Sequence, residues 1–577
     1  MPTFTSDVII NEPYPGVVFS GTETTPAAAQ PWTEREIAGV LWLLQNADWS
    51  TTQFVQTTST QPSYGISFSN GQQIFYIKAA GASPWTTWDN PRSAPLQRFF
   101  NPVDYGADPT GSADCTTAVN KMFTDASAAA SASSGVHIFW PRGTYKTSGF
   151  ATVTFPAGSF VTIEGHSTTI LCTSATADVF SFAGTGSGVS YWAIGPGFTF
   201  TFSSTRTAGY CIVVDAHTAV GGFMKILGPT YAIAPFGGLK IAGGATSLFV
   251  DQLSVSQMVA GGKGVYVTGG AAGPVISNCS FNGPKDLNSH GVLLDPAVAY
   301  NTLKVHDNIF TQLGFGILHA QNASGASGDG DIYNNTFDGM ADTAIVLAPN
   351  TGASLQQLSI RGNHFACGPS GGGSFNNSIH ISGAGGGAIQ TVLIEGGNRF
   401  LSASASHVVI GNASDVTIVN NYIKNANLAN SGGFGIDLGS VSGARICGNQ
   451  IGESFGGETT QYAIHSLGSS NVDVLGNVIR SMTNGAIIYD TAVGWKIRGN
   501  SGANPGGPQA TVVFTSGVAK ANPYPYDLDV SISGGAVSAV AIDGQTTGLT
   551  AGTFMWPAGS TMTVTFTAAP TVVVYAL

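Results

Sequence analysis

Two small sets of residues in this chain could carry acid–base or ligand chemistry if the fold brings each set together. Asp437 and His465 lie 28 residues apart, and His380 stands upstream of both. A carboxylate beside an imidazole can take and give a proton, or hold the hydroxyls of a sugar. The second set is Tyr333, Arg361 and Glu395, with His306 one period earlier. An aromatic ring, a guanidinium and a carboxylate are what a glycan groove uses for stacking, anion pairing and proton transfer. Whether either set is a site depends on the elements that hold it.

Those elements are repeats. Between Val275 and Asn500 one phrase recurs: an aliphatic residue, two variable positions, an asparagine, one more variable position, then Phe or Ile. Copies centre on Asn278, Asn308, Asn335, Asn363, Asn398, Asn421, Asn449, Asn477 and Asn500, at spacings of 23 to 35 residues. The first copy is imperfect, with Phe281 one place late. A second phrase follows each asparagine, as in Gly291-Val-Leu-Leu, Gly316-Ile-Leu-His, Gly435-Ile-Asp-Leu and Ala463-Ile-His-Ser. A fixed period in this range is the mark of a repeat architecture. Each repeat is two or three short strands joined by glycine-rich turns, with no room for a helix and no leucine-rich spacing. What remains is a right-handed, single-stranded parallel β-helix of about a dozen coils, each stacking on the next at about 4.8 Å. The asparagines read as an inward ladder that bends left-handed and bonds the next coil, which makes them scaffold.

Side chains of a coil alternate inward and outward, so equivalent outward positions form columns. In the second phrase one column reads Leu293, Leu318, Val346, His380, Val409, Asp437, His465, Ile488. In the asparagine strand another reads Ile276, His306, Tyr333, Arg361, Glu395, Val419, Cys447, Leu475, Arg498. These columns give the candidate catalytic residues Asp437, Glu395 and His465, and the candidate substrate-binding residues His380, Tyr333, Arg361 and His306. The competing interpretations are a subunit interface for the aliphatic column and a surface Arg–Glu pair, worth well under 1 kcal/mol, for the other. Turn carboxylates Asp286, Asp295, Asp329, Asp331, Asp342, Glu453 and Glu458 are further candidates, and two of them across a groove would make a glycosidase.

Composition narrows the classes. Charged residues make up only 9% and the net charge is −11, with no basic run, which argues against nucleic acid as a partner. No stretch of about 18 apolar residues is present, so no membrane span is expected. The six cysteines show neither a disulfide framework nor zinc spacing. No signal peptide is visible at Met1-Pro-Thr-Phe, so export by another route, such as lysis around a virus particle, is expected. Residues 1–95 read as a separate domain, in which Thr33 and Glu36 make a capping box for a helix to about Asn46. Five of the nine tryptophans fall there, as core or as a sugar-stacking surface. Residues 96–150 read as linker, capping helix and first coil, 151–505 as the β-helix, and 506–577 as a C-terminal β-sandwich. The class is therefore all-β.

Asp104-Tyr-Gly-Ala, then Gly111 and Asp114 before a helix with Val119, Met122 and Phe123 on one side, then Trp140-Pro-Arg-Gly-Thr-Tyr145, resembles the opening of the pectate-lyase-like superfamily. It is similar in particular to the branch holding many bacteriophage tailspikes and capsule depolymerases. The match is close over 101–150 and carried by the repeat over 151–500. The resemblance implies a homotrimeric virion protein, joined to the phage tail or baseplate through its N-terminal domain. Such a protein binds and cleaves a bacterial capsular polysaccharide, exopolysaccharide or O-antigen. The carboxylate supply favours hydrolysis over lysis by elimination. The family's calcium-dependent lyases use clustered aspartates with a basic residue, and neither column has them, so no metal and no cofactor is expected. The alternatives are a non-catalytic receptor-binding spike and an extracellular bacterial polysaccharide lyase or epimerase.

Overall fold

The computed structural model describes residues 98–576 apart from loops at 131–134, 186–190, 216–222, 244–246, 269–270, 296–299, 320–326, 350–351, 367–375, 384–386, 427–431, 453–458, 489–493 and 504–506; before residue 98 it describes strand segments only. Two compact units emerge, one of Met1–Phe100 with Ser133–Ile138 and one of the remaining residues.

In the first unit the helix expected from Thr33 is absent. Trp32–Ile37 and Val40–Gln45 are antiparallel strands, and Val40–Gln45 pairs in turn with Ser63–Ser69, which pairs with Gln72–Lys78. The sequence places Gly39 between the first two strands, where a helix interior loses about 1 kcal/mol relative to alanine and a two-residue hairpin loop favours glycine. Local capping chemistry lost to sheet pairing.

The second unit is built around a parallel β-solenoid of about 11 turns. One sheet holds the asparagine strands, among them Leu303–His306, Ser327–Tyr333, Ser354–Arg361 and Ala388–Glu395, each followed across a corner by a short arm such as Ile309–Thr311. A second sheet of 13 strands runs from Val153–Phe155 to Gly485–Ile488 and holds the second phrases. Every pairing within the solenoid is parallel, as in Tyr333↔Arg361↔Glu395 and Val409↔Asp437↔His465.

The ladder holds the corner between the strands. Asn308, Asn335, Asn363, Asn421, Asn449 and Asn477 each donate a backbone N–H to Oδ1 of the next asparagine, at 2.9–3.0 Å. The Nδ2 groups donate both to that oxygen and to a backbone carbonyl one coil back, as Asn363 does to Ile332. All these amides are buried, so each bond also averts the cost of an unpaired buried polar group, about 1–3 kcal/mol. Two details differ from expectation. The left-handed residue is the one before the ladder asparagine: Asp307, Asn334, Gly362, Gly397, Asn420, Gly448, Gly476 and Gly499 all have positive φ. The first rung is Cys279, whose N–H donates to Asn308 Oδ1, whereas Asn278 is exposed and bonds Asp251.

Two residues past each corner, Phe281, Phe310, Phe337, Phe365 and Phe400 stack in file inside the coil. That stack accounts for the glycines that open the second phrase. A Cβ at Gly291 would come within 2.3 Å of the Phe310 ring, and one at Gly316 within 2.6 Å of Phe337. Later coils admit Ala344, Ser378 and His407 at this place. His407 is fully buried between Ser378 Oγ (2.9 Å) and the Lys424 carbonyl (2.6 Å), and burial pushes it down to about 4.

Before the first coils lies the helix Thr116–Ala129, which buries Val119, Met122, Phe123 and Ala126. Its N-cap is Cys115, and Asp114 serves from outside by accepting the Thr116 N–H. Phe123 meets Trp140, Phe150, Phe180 and Phe182 with ring centroids 5.6–6.3 Å apart. Asp108 accepts from Thr110 and Ala113, so the acidic residues of the opening motif hold a turn. At the far end two four-stranded antiparallel sheets enclose Leu528, Val530, Trp556, Met562 and Val564. Cys115, Cys172, Cys211 and Cys279 are buried free thiols, and burial pushes Cys115 and Cys279 up to about 12.

Candidate functional site

The register of the second sheet runs Lys240, Tyr266, Leu293, Leu318, Val346, His380, Val409, Asp437, His465, Ile488. From Leu293 onward these are the expected neighbours. Asp437 and His465 touch, with Nδ1 2.8 Å from Oδ1. Against a carboxylate the Nδ1–H donates, and Nε2 is left as the basic nitrogen of the ring. Phe434 lies flat on the imidazole at 4.0 Å between centroids and an interplanar angle of 12°. The two side chains are 15% and 28% exposed, so the pair is screened yet reachable. His380 stands two strands away, about 10 Å by strand spacing, with Val409 between. Burial holds it below the ordinary histidine value, and Asp342 and Asp437 pull the other way.

In the asparagine sheet the order is Ser277, His306, Tyr333, Arg361, Glu395. Ser277 replaces Ile276, which faces the core, because the first corner is Cys279 rather than Asn278. Tyr333 is sandwiched: His306 stacks on it at 4.6 Å and 5°, and the Arg361 guanidinium lies 4.4 Å over its ring. Arg361 spends its hydrogen bonds on Asp331, at 2.6 Å from Nη2 and 3.2 Å from Nε. The ion pair is therefore Arg361–Asp331, with Glu395 on the next strand contributing only its charge. His306 bonds its own neighbour Asp307 at 2.7 Å.

The structure thus joins His465 with Asp437 and joins His306, Tyr333 and Arg361, but the two groups occupy different sheets. Glu395 does not share a face with Asp437. Sequence reasoning missed Asp331 as the partner of Arg361, although its place two residues before Tyr333 marks the same face. It also missed Phe434, three residues before Asp437. Among the turn carboxylates, Asp295 accepts the Tyr266 hydroxyl, Asp286 accepts the Gly261 N–H, Asp329 the Thr302 N–H and Asp342 the Thr343 hydroxyl. Glu453 and Glu458 lie outside the described residues. No group of three or more His, Cys, Asp or Glu is placed to hold a metal ion among the described residues.

No family model and no curated protein matches the chain. Solved structures do. The Dettilon tailspike protein is 14% identical over 85% of this chain and 96% of its own, with a TM-score of 0.44. Bacteriophage CBA120 tailspike protein 3 is 12% identical over 84% of this chain and 77% of its own, with a TM-score of 0.45. The family 28 exopolygalacturonase of Yersinia enterocolitica is 10% identical over 83% of this chain and 99% of its own, at 0.35. The resemblance to tailspikes and other right-handed β-helix proteins is one of fold.

Proposed function

We propose that the chain is a tailspike-type protein that binds a bacterial surface polysaccharide and cleaves it by glycosidic hydrolysis. The observation that carries this reading is the His465–Asp437 contact of 2.8 Å, set in a column whose neighbouring outward positions are aliphatic. Asp437 fixes the imidazole with Nδ1–H toward the carboxylate. Nε2 takes a proton from an attacking water as the water oxygen bonds the anomeric carbon and the glycosidic C–O bond breaks, and the imidazolium, stabilised by the carboxylate behind it, gives that proton to the departing sugar oxygen. Phe434 limits the ring's rotation. His380, kept neutral by burial, holds sugar hydroxyls on the same strip. Tyr333, Arg361 and His306 form a second, flat glycan platform on the other sheet, where Glu395 is the candidate acid. The assembly is a homotrimer, attached to a phage tail through its N-terminal domain and acting outside the cell.

The test is incubation with candidate capsular polysaccharides, exopolysaccharides and O-antigens. Reducing ends should appear without the ultraviolet absorbance of unsaturated uronates. Asp437→Asn should lower the rate about 100-fold or more, the scale of a lost acid–base group. If Asp437→Asn and Glu395→Gln both leave cleavage intact, the site is wrong. A single-chain mass by light scattering would overturn the trimer. A second reading, binding without cleavage, draws support from the preassembled Tyr333 sandwich, which needs no chemistry to stack on a sugar. It requires glycan binding with no reducing ends released.

A further inference from the structure

Upstream of its aliphatic stretch, the column that holds Asp437 and His465 passes through a cationic, ring-lined patch. Lys240 neighbours Tyr266, and Lys263 neighbours His290 one strand on. The Lys263 Nζ sits 5.1 Å from the Phe236 ring centroid and 5.8 Å from that of Tyr266, while Lys240 Nζ sits 5.9 Å from Tyr210. Tyr210 and Tyr266 lie 6.3 Å apart at 25°. The Tyr210 ring occupies the space over Gly237, where a Cβ would come within 2.1 Å of it. Asp295 fixes the Tyr266 hydroxyl at 2.9 Å.

Neither lysine is ion-paired among the described residues, in contrast to Lys121 with Asp125 and Arg361 with Asp331. Lys263 has only the Gly261 carbonyl, at 3.2 Å, and burial lowers its pKa, the mark of an ammonium short of compensation. His290, nine-tenths buried, stacks on Phe315 beside Lys263. In a chain of net charge −11 with only 21 lysines and arginines, two cations on adjacent strands with no ion pair among the described residues are an unusual local concentration of positive charge.

We infer that Lys240, Lys263 and Tyr266 form a subsite for a carboxylate-bearing sugar, which makes the substrate an acidic polysaccharide. The ring of the sugar lies against Tyr266, and its carboxylate meets the two ammonium groups. This rests on the polysaccharide reading proposed above. Six strand steps, about 29 Å, separate Tyr266 from Asp437, so the subsite anchors the glycan far from the reacting bond. Binding energy gained there is available to position the chain over His465.

The experiment uses an array of purified bacterial capsular polysaccharides, acidic and neutral, probed with the full chain and with Lys240→Gln/Lys263→Gln and Lys240→Arg/Lys263→Arg double variants. The wild type should retain acidic polysaccharides. The glutamine variant should bind them about tenfold or more weakly and with a flatter dependence on salt, and the arginine variant should keep most of the affinity. If the glutamine variant binds as tightly as the wild type, or if the retained polysaccharides are neutral, this inference falls and the polysaccharide reading stands. If the wild type retains none of the array, both fall.

Discussion

In the coils from Trp140 to Phe200 the core is filled by rings that meet at many angles, from 20° between Phe150 and Phe180 upward. Trp140 meets Tyr145 at 87°, and Phe180 meets Phe198 and Phe200 at 80° and 84°. From Phe310 onward the rings lie parallel, with interplanar angles of 5°, 6° and 3° down the file to Phe400. The early coils are a jigsaw, in which each ring has a private shape to fill. The later coils are a stack, in which each rung sees the same surroundings above and below. Shape complementarity governs the first region and polar continuity the second, because the ladder of buried amides runs only through the later coils.

That contrast can be tested by substitution. The largest effect should come from cutting the ladder. Asn398→Leu removes the acceptor of Asn363 N–H and Nδ2 and the donor to Ile360 O and Asn421, at a fully buried site. A loss of about 4 kcal/mol is expected, the sum of two or three orphaned groups, read as a fall in the urea midpoint. A loss below about 1 kcal/mol would mean that the ladder is decoration.

Next comes acid. The folded value of His407, about 4, lies below its ordinary 6.5, so the unfolded chain binds the extra proton between these values. Stability from this site is full above pH 6.5 and declines as the pH falls toward 4, by about 3 kcal/mol in all. His407→Gln should flatten that acid limb in denaturation curves taken across the window; an unchanged limb would locate the sensitivity elsewhere.

Smaller still is the difference between jigsaw and stack. Phe180→Leu should cost about 2 kcal/mol or more and Phe365→Leu about 1, because later coils already accept Ile423, Ile451 and Ile479 at the stacked position. Equal costs would erase the distinction. Arg361→Gln, at an exposed pair, should change stability by less than about 1 kcal/mol while weakening glycan retention.

The coil was legible because its corner amides and core rings recur with one relation between them, and that relation also carried the column from Leu293 to Ile488. The first rung was misplaced by following asparagine identity. The distance to phenylalanine was the better guide, since Cys279 stands to Phe281 as Asn308 does to Phe310. The Arg361–Asp331 bond was illegible for a different reason: a long side chain chooses between carboxylates on adjacent strands by rotamer, which period cannot report. The Lys240–Lys263 patch falls in coils with no asparagine corner, so no column could be drawn through it. At Thr33 a local helix signal was overridden by sheet pairing, with Leu44 across a hairpin whose second strand pairs in turn with Tyr64 to Phe68.

The constancy of the corner bond, 2.9–3.0 Å whether consecutive asparagines are 23 or 35 residues apart, uncouples reach from girth. Residues added to a loop thicken one turn and leave the pitch alone. Excising one whole period, such as 450–477, would join Asn449 to Val478 and restore the same corner. The length of the coil is therefore quantised in steps of about 4.8 Å, and lineages could lengthen or shorten it by whole turns while leaving the faces of the surviving turns in phase.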